Sequence, residues 1–326
     1  MAEAARAPRE VQTVAGRVPA YRLGATDAHD HLFLTTPAQP DDGFDDLDAA
    51  LAEVGEGAES GLSAIVELTP IGLGRRPALL RAVSEATGVH VVAATGYHRD
   101  AHYRADHWVY AASVDELAEH AVADIEQGMV ADDGGGGGPG AEWRGQRDAA
   151  RAGVIKAGAS YQRISPAEER RLRAAAGAAR ATGVAVFVHT EVGTCAPEIV
   201  DLLQGEGLAA ERIVLAHLDR NMDLELHAEL AGRGVALVYD TIGRIKYAPD
   251  GDRLALIEQM LAAGHAERLM LGLDLGRRSY LRAFGGGPGL RHLLCSFVPR
   301  LERRIGRAAV EQMLVTNPAR VLALAR

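Results

Sequence analysis

Eight short runs of apolar and β-branched residues recur along the chain, and every gap between them is long enough to hold a helix. They are 25–32 (ATDAHDHL), 62–69 (LSAIVELT), 90–97 (HVVAATGY), 153–160 (GVIKAGAS), 184–191 (VAVFVHTE), 212–219 (RIVLAHLD), 235–242 (VALVYDTI) and 269–276 (LMLGLDLG). Strands alternating with helical stretches argue for βαβ units and a parallel sheet, and eight such units close into a (β/α)8 barrel. Helical patterns are readable at 114–130, 165–182, 196–204, 221–232 and 252–263, with two more near 289–304 and 307–323. The helix at 165–182 opens Ser165-Pro166-Ala167-Glu168, a capping box with proline at the first helical position. A doubly wound open sheet would need a glycine-rich dinucleotide turn after the first strand, and that strand runs into His29-Asp30-His31 instead. The expected organisation is one barrel domain over residues 1–326 closed by C-terminal helices. A flexible glycine-rich insertion at 132–140 precedes the fourth strand, on the face remote from barrel chemistry, and lacks the Lys-Ser/Thr of a phosphate loop.

Barrel active sites gather at the C-terminal ends of the strands, so the residues at those ends carry the functional argument. The first strand ends His29-Asp30-His31, where residues two apart share a face and place both imidazoles in the barrel mouth while Asp30 points away. Lys156 lies in the fourth strand, His189 ends the fifth, His217 the sixth, and Asp274 the eighth. Leaving these groups unpaired in a barrel interior would cost several kcal/mol, about what a buried polar or charged group forfeits without partners. A two-metal site satisfies all six, because imidazole nitrogen and carboxylate oxygen suit Zn²⁺ and its first-row neighbours Mn, Co and Fe. Lysine occurs only at Lys156 and Lys246 among 35 basic residues, so each is a candidate for chemistry that arginine cannot perform. A neutral Lys156 amine can add carbon dioxide, giving a carbamate anion with one oxygen for each of two divalent ions.

The ordered set His-x-His, Lys, His, His, Asp over eight strands resembles the phosphotriesterase family of the amidohydrolase superfamily. The motifs AHDHL, GVIKAG, VFVHTE, VLAHLD and LGLD carry the resemblance, which runs from Val11 to Pro318. It implies that His29, His31 and Asp274 hold one metal and His189 and His217 the other, with carboxylated Lys156 bridging. It also implies a homodimer. Asp30 departs from the glutamate usual between the two histidines. The expected mechanism is attack by a metal-bridging hydroxide, with Asp274 moving its proton to the leaving group and Tyr97, at the end of the third strand, reaching the substrate or hydroxide.

The connections after strands seven and eight are where barrels frequently bind phosphate. Here they contain Arg244, Lys246 and Tyr247, then Arg277, Arg278 and Tyr280, followed by Gly285-Gly286-Gly287. Lys246, Arg244, Arg277, Arg278 and Tyr280 are the expected anion-binding residues. The trio Lys246, Arg277 and Tyr280 resembles family members that open phosphorylated five-membered sugar lactones. The expected activity is therefore a lactonase for a small phosphorylated sugar lactone. An organophosphate, carboxyl-ester or acyl-homoserine lactone hydrolase is the alternative, and a metal-containing binding protein without catalysis the third reading. His98, His102 and His107, interleaved with Tyr103, Trp108 and Tyr110, are expected to form a substrate-covering loop, and Glu67 a core partner for an arginine.

A net charge of −9 argues against nucleic acid and anionic membrane as partners. No run approaches the roughly 18 apolar residues of a membrane span. Cys195 and Cys295 make no disulfide framework, and the first ten residues lack the apolar centre of a secretory signal, so a cytoplasmic location is expected.

Overall fold

The computed structural model describes residues 9–131 and 145–325, so the glycine-rich insertion expected at 132–140 lies outside the described residues. An antiparallel hairpin, β1 (Glu10–Thr13) and β2 (Gly16–Pro19), comes first. The barrel strands follow as β3 (Thr26–Asp30), β4 (Ala64–Glu67), β5 (His90–Gly96), β6 (Ala152–Ala159), β7 (Ala185–Thr190), β8 (Ile213–Ala216), β9 (Ala236–Tyr239) and β10 (Leu269–Leu271). They form one eight-stranded parallel sheet in sequence order. The sheet closes where the N–H groups of Leu273 and Asp274 reach the His29 carbonyl at 3.3 and 2.8 Å. All eight strands of the sequence reading are present, each within a few residues of its expected bounds.

Strand parity sorts the apolar residues into two layers. Val66, Val92, Ala94, Val154, Ala185, Phe187, Val214, Val238 and Met270 fill the barrel interior. Their neighbours Ile65, Val91, Ala93, Ile155, Val186, Val188, Leu215 and Leu237 face the surrounding helices. Val11 of the hairpin and Val321 and Leu322 near the C-terminus join the inner layer and plug its N-terminal end. The opposite end is left for polar side chains.

The outer layer is α1 (Leu47–Glu59), α2 (Pro77–Thr87), α3 (Val114–Glu126), α4 (Pro166–Thr182), α5 (Ala196–Gly205), α6 (Leu224–Gly232), α7 (Asp250–Ala262), α8 (Val298–Ile305), α9 (Arg307–Glu311) and α10 (Asn317–Leu322). The capping box at α4 is formed, with Ser165 accepting from the Glu168 N–H and Glu168 reaching back to Ser165. Helix α1 escapes the periodicity argument because Gly55 and Gly57 interrupt it, and α2 because it spans only three turns. No helix among the described residues is long and apolar enough to cross a membrane.

Candidate metal centre and anion pocket

At the open end of the barrel the fold brings together His29, His31, Lys156, His189, His217 and Asp274. All six are buried. Lys156 Nζ lies 3.2 Å from His29 Nε2, and His189 Nδ1 lies 2.8 Å from His217 Nε2. Asp274 Oδ1 stands 3.3 Å from His31 Nε2 and 3.6 Å from His29 Nε2. His29, His217 and Asp274 present ligand atoms within 4.8 Å of one another, a group able to hold a metal ion.

Each imidazole has one ring nitrogen tied to an oxygen and the other turned toward the centre. His29 Nδ1 and His217 Nδ1 lie 2.7 and 2.8 Å from the two oxygens of Asp240. His31 Nδ1 is 2.8 Å from Thr69 Oγ1, and His189 Nε2 is 2.7 Å from Glu191 Oε2. Glu191 is held in turn by Arg99 at 2.9 Å. Outer partners of this kind fix tautomer and ring orientation in metal sites. The donor set fits a binuclear group on that test.

Electrostatics agree. Burial holds the protonated forms of His29 and His217 well below the usual imidazole range, lowers His31, and brings His189 to about 4. Four neutral imidazoles at pH 7 are in the state metal binding requires. Burial also lowers Lys156 to about 8, so its amine is partly neutral near physiological pH. Burial opposes ionisation of Asp274, but the Arg244 guanidinium, with a hydrogen bond from His31, outweighs it and holds the carboxyl well below its usual range.

Two candidate ligands sit in left-handed backbone, His217 at φ 68° and Asp274 at φ 48°. Such conformations cost roughly 1–3 kcal/mol each in a non-glycine residue and cluster at functional sites. Gly96 (φ 90°) is required for a different reason. A Cβ there would lie 2.2 Å from the Lys156 carbonyl, which accepts from the Tyr97 N–H at 2.8 Å.

A cavity of about 190 Å³ opens above these residues. Arg99, Arg220, Arg244, Lys246, Arg277, Tyr247 and Tyr280 line it, with Asp274 at its floor. One expected anion-binding residue is corrected. Arg278 leaves the cavity and stacks over Phe284 at 4.4 Å, because the 3₁₀ turn Arg278–Tyr280 puts residues three apart on one face, so Arg277 and Tyr280 face inward without it. Arg244 does line the cavity, but its guanidinium is committed to Asp274 Oδ2 at 2.5 Å and to the Leu273 and Asp274 carbonyls.

Tyr97 is also corrected. The left-handed turn at Gly96 breaks the two-residue alternation, and the phenol passes away from the mouth to pack edge-on against Trp108 and donate to the Leu117 carbonyl of α3. Glu67 accepts from the Thr69 hydroxyl at 2.5 Å and from the Leu32 and Thr69 N–H groups, and burial raises its carboxyl to about 7 against these hydrogen bonds and the nearby charge of Arg75. Of the three loop histidines, His98 lies 4.6 Å from the His189 ring and His102 stacks on His98 at 3.8 Å, both lining the cavity. His107 lines a wider neighbouring cavity of about 680 Å³, away from the one group of possible metal ligands found among the described residues.

Asp240, Arg220 and the Arg99–Glu191 pair belong to the site by position, and the strand-end reading passes over them. Asp240 ends the seventh run as Asp274 ends the eighth, so the same rule reaches it. Arg220 follows His217 by three positions, directly after the AHLD segment, but nothing in the sequence tells its direction.

The pattern that defines the phosphotriesterase family matches residues 9–322. A phospho-furanose lactonase of Mycoplasmopsis synoviae is 32% identical over 327 residues, covering 96% of this chain and 91% of the relative. The crystal structure of an amidohydrolase from Mycoplasma synoviae superposes with a TM-score of 0.92 at 31% identity, covering 98% of this chain and 94% of that one. The phosphotriesterase homology protein from Escherichia coli, complexed with phosphate in its active site, superposes with a TM-score of 0.82 at 32% identity, covering 92% and 99%.

Proposed function

The chain belongs to the phosphotriesterase family and is a hydrolase of ester bonds, and from that premise we propose that it opens a small phosphorylated sugar lactone at a binuclear metal centre. The observation that carries this reading is the convergence of four neutral imidazoles, Asp274 and Lys156, each imidazole held by an oxygen on its far side. His29, His31 and Asp274 would hold one ion and His189 and His217 the other, with Lys156, once carboxylated on its amine, as the ligand they share. Zinc is the first choice of metal, with Mn, Co or Fe accepted by the same donors. When bound, two divalent ions supply a nucleophile at neutral pH by lowering the pKa of water, and a Lewis acid for the carbonyl oxygen.

The protein's own groups do the rest. Asp274, braced by Arg244, takes the proton of the attacking water and returns it to the ring oxygen that leaves. Lys246, Arg277 and Tyr280 hold the phosphate at the rim, where cations and a phenol line one wall of the cavity. The phosphate in the active site of the Escherichia coli relative and the phospho-furanose lactonase similarity support that choice. The proposal extends to a cytoplasmic homodimer, which rests on the composition and on the family resemblance.

A substrate panel tests the reading. Phosphorylated five-membered lactones should be opened far more efficiently than the same lactones without phosphate, and neutral phosphotriesters should be poor substrates. Efficient turnover of triesters with none of phosphorylated lactones would replace it with an organophosphate hydrolase.

A further inference from the structure

Two cations at the mouth of the barrel take no part in the mechanism above: Arg99, which is paired with Glu191, and Arg220. Arg220 is carried by the turn after β8. His217 enters the left-handed region, and the 3₁₀ turn Leu218–Arg220 then throws the Arg220 side chain back over the centre. Asp219 locks that turn from beneath, accepting from the Asp240 and Thr241 N–H groups at 3.2 and 2.9 Å and from Arg253 Nε at 2.8 Å. The guanidinium lies on the Tyr247 ring, 4.6 Å from its centroid. Its Nη2 donates to Asp274 Oδ2 at 2.7 Å. Its Nε is buried without a hydrogen-bond partner, on a side chain only 6% exposed.

A buried, unpartnered N–H on a guanidinium costs free energy unless a ligand completes it. Asp274 Oδ2 also accepts from Arg244, but Arg244 is tied to two backbone carbonyls and cannot turn away. Among the described residues Arg220 has no such anchors beyond Tyr247 and Asp274, and it lines the cavity. An oxygen that receives the proton from Asp274 must come within hydrogen-bond distance of its carboxylate, and hence near Arg220.

We propose that Arg220 is a catalytic residue that binds the leaving oxygen of the substrate. The inference rests on the ester-hydrolase reading and adds a group to it. A water adds to the carbonyl carbon, losing one proton to Asp274. The bond from that carbon to the ring oxygen then breaks, its electron pair goes to the ring oxygen, and Asp274 returns the proton there, so lactone and water become a hydroxy acid. Arg220 donates to the ring oxygen while negative charge builds on that oxygen. Tyr247 keeps the guanidinium in place throughout. The tuning matters most where the leaving group is a poor one, as an alkoxide is.

The test compares leaving groups in the metal-loaded protein. Wild type and Arg220→Met are assayed on aliphatic lactones and on 4-nitrophenyl esters, with metal content measured on the same samples. The expected result is a loss of about 100-fold or more on lactones, the scale for removing one donor to a developing oxyanion, and a much smaller loss on nitrophenyl esters. Arg220→Lys should recover part of the lactone activity. As a readout apart from turnover, calorimetry should show that wild type binds the ring-opened hydroxy acid more tightly than its deoxy analogue and that Arg220→Met does not. Equal losses on both ester classes, no loss on either, or metal lost from Arg220→Met would each overturn the proposal. Absence of ester hydrolysis in wild type would instead overturn the underlying reading, and the proposal with it.

Discussion

Replacing Asp240 with asparagine should strip metal from the protein without unfolding it. Asp240 is fully buried, and its two oxygens lie 2.7 Å from His29 Nδ1 and 2.8 Å from His217 Nδ1. An amide offers only one carbonyl oxygen. One imidazole keeps its acceptor; the other faces an NH₂ group and must move its proton to Nε2, the nitrogen that would bind metal. Losing one outer contact of this type lowers metal affinity by about 10–100-fold, or about 1.4–2.7 kcal/mol. Asp240→Ala removes both contacts and should lose more. The metal-free fold responds differently. Burial and the nearby Asp219 and Asp274 push the Asp240 carboxyl well above its usual range, so a charge there is unfavourable until cations offset it. Asp240→Asn should therefore melt, without metal, no lower than wild type. The assay is competition against a fluorescent chelator, beside thermal melts of metal-free samples. Unchanged affinity in Asp240→Asn would refute the reasoning, and so would metal loss that accompanies a lower metal-free melting temperature.

Other outcomes follow from the same geometry. Lys246→Ala and Arg277→Ala should raise KM for phosphorylated lactones and leave metal content unchanged, whereas Arg278→Ala, stacked on Phe284, should leave kinetics alone; steady-state assays decide. Gly96→Ala would force a side chain to 2.2 Å from the Lys156 carbonyl at φ 90°, costing at least about 2–3 kcal/mol in urea unfolding and displacing Lys156, so bound metal should fall too. Burial raises Glu67 from 4.5 to about 7, so the folded state keeps a proton that the unfolded chain releases. Wild-type stability should then decline relative to Glu67→Gln as pH rises from about 4.5 through 7, by a total of order 3 kcal/mol, and urea midpoints across that range test it.

The architecture was legible because a parallel barrel buries both faces of each strand, leaving eight apolar runs that stand out against polar helices. The ligand candidates were legible for a related reason, since His29, His31, Lys156, His189, His217 and Asp274 are polar interruptions of those runs at one end. What parity could not supply was the backbone where it leaves the strand. Tyr97 follows a left-handed glycine, and its phenol turns to α3. Arg278 sits inside a 3₁₀ turn whose three-residue period selects Arg277 and Tyr280. Arg244 and Arg220 are both loop cations in sequence, and only the fold distinguishes the one bound to carbonyls from the one with an N–H to spare. Asp240 was within reach of the strand-end rule; its double contact with His29 and His217 was not, because it depends on how three strands lie beside one another.

The binuclear centre bridged by a modified lysine is tested most directly by counting ions. Elemental analysis of protein purified without chelators should find two divalent ions per wild-type chain, and Lys156→Ala should retain at most one, with its activity lost. Two tightly held ions in Lys156→Ala, or full lactonase activity from wild type that carries none, would contradict the account.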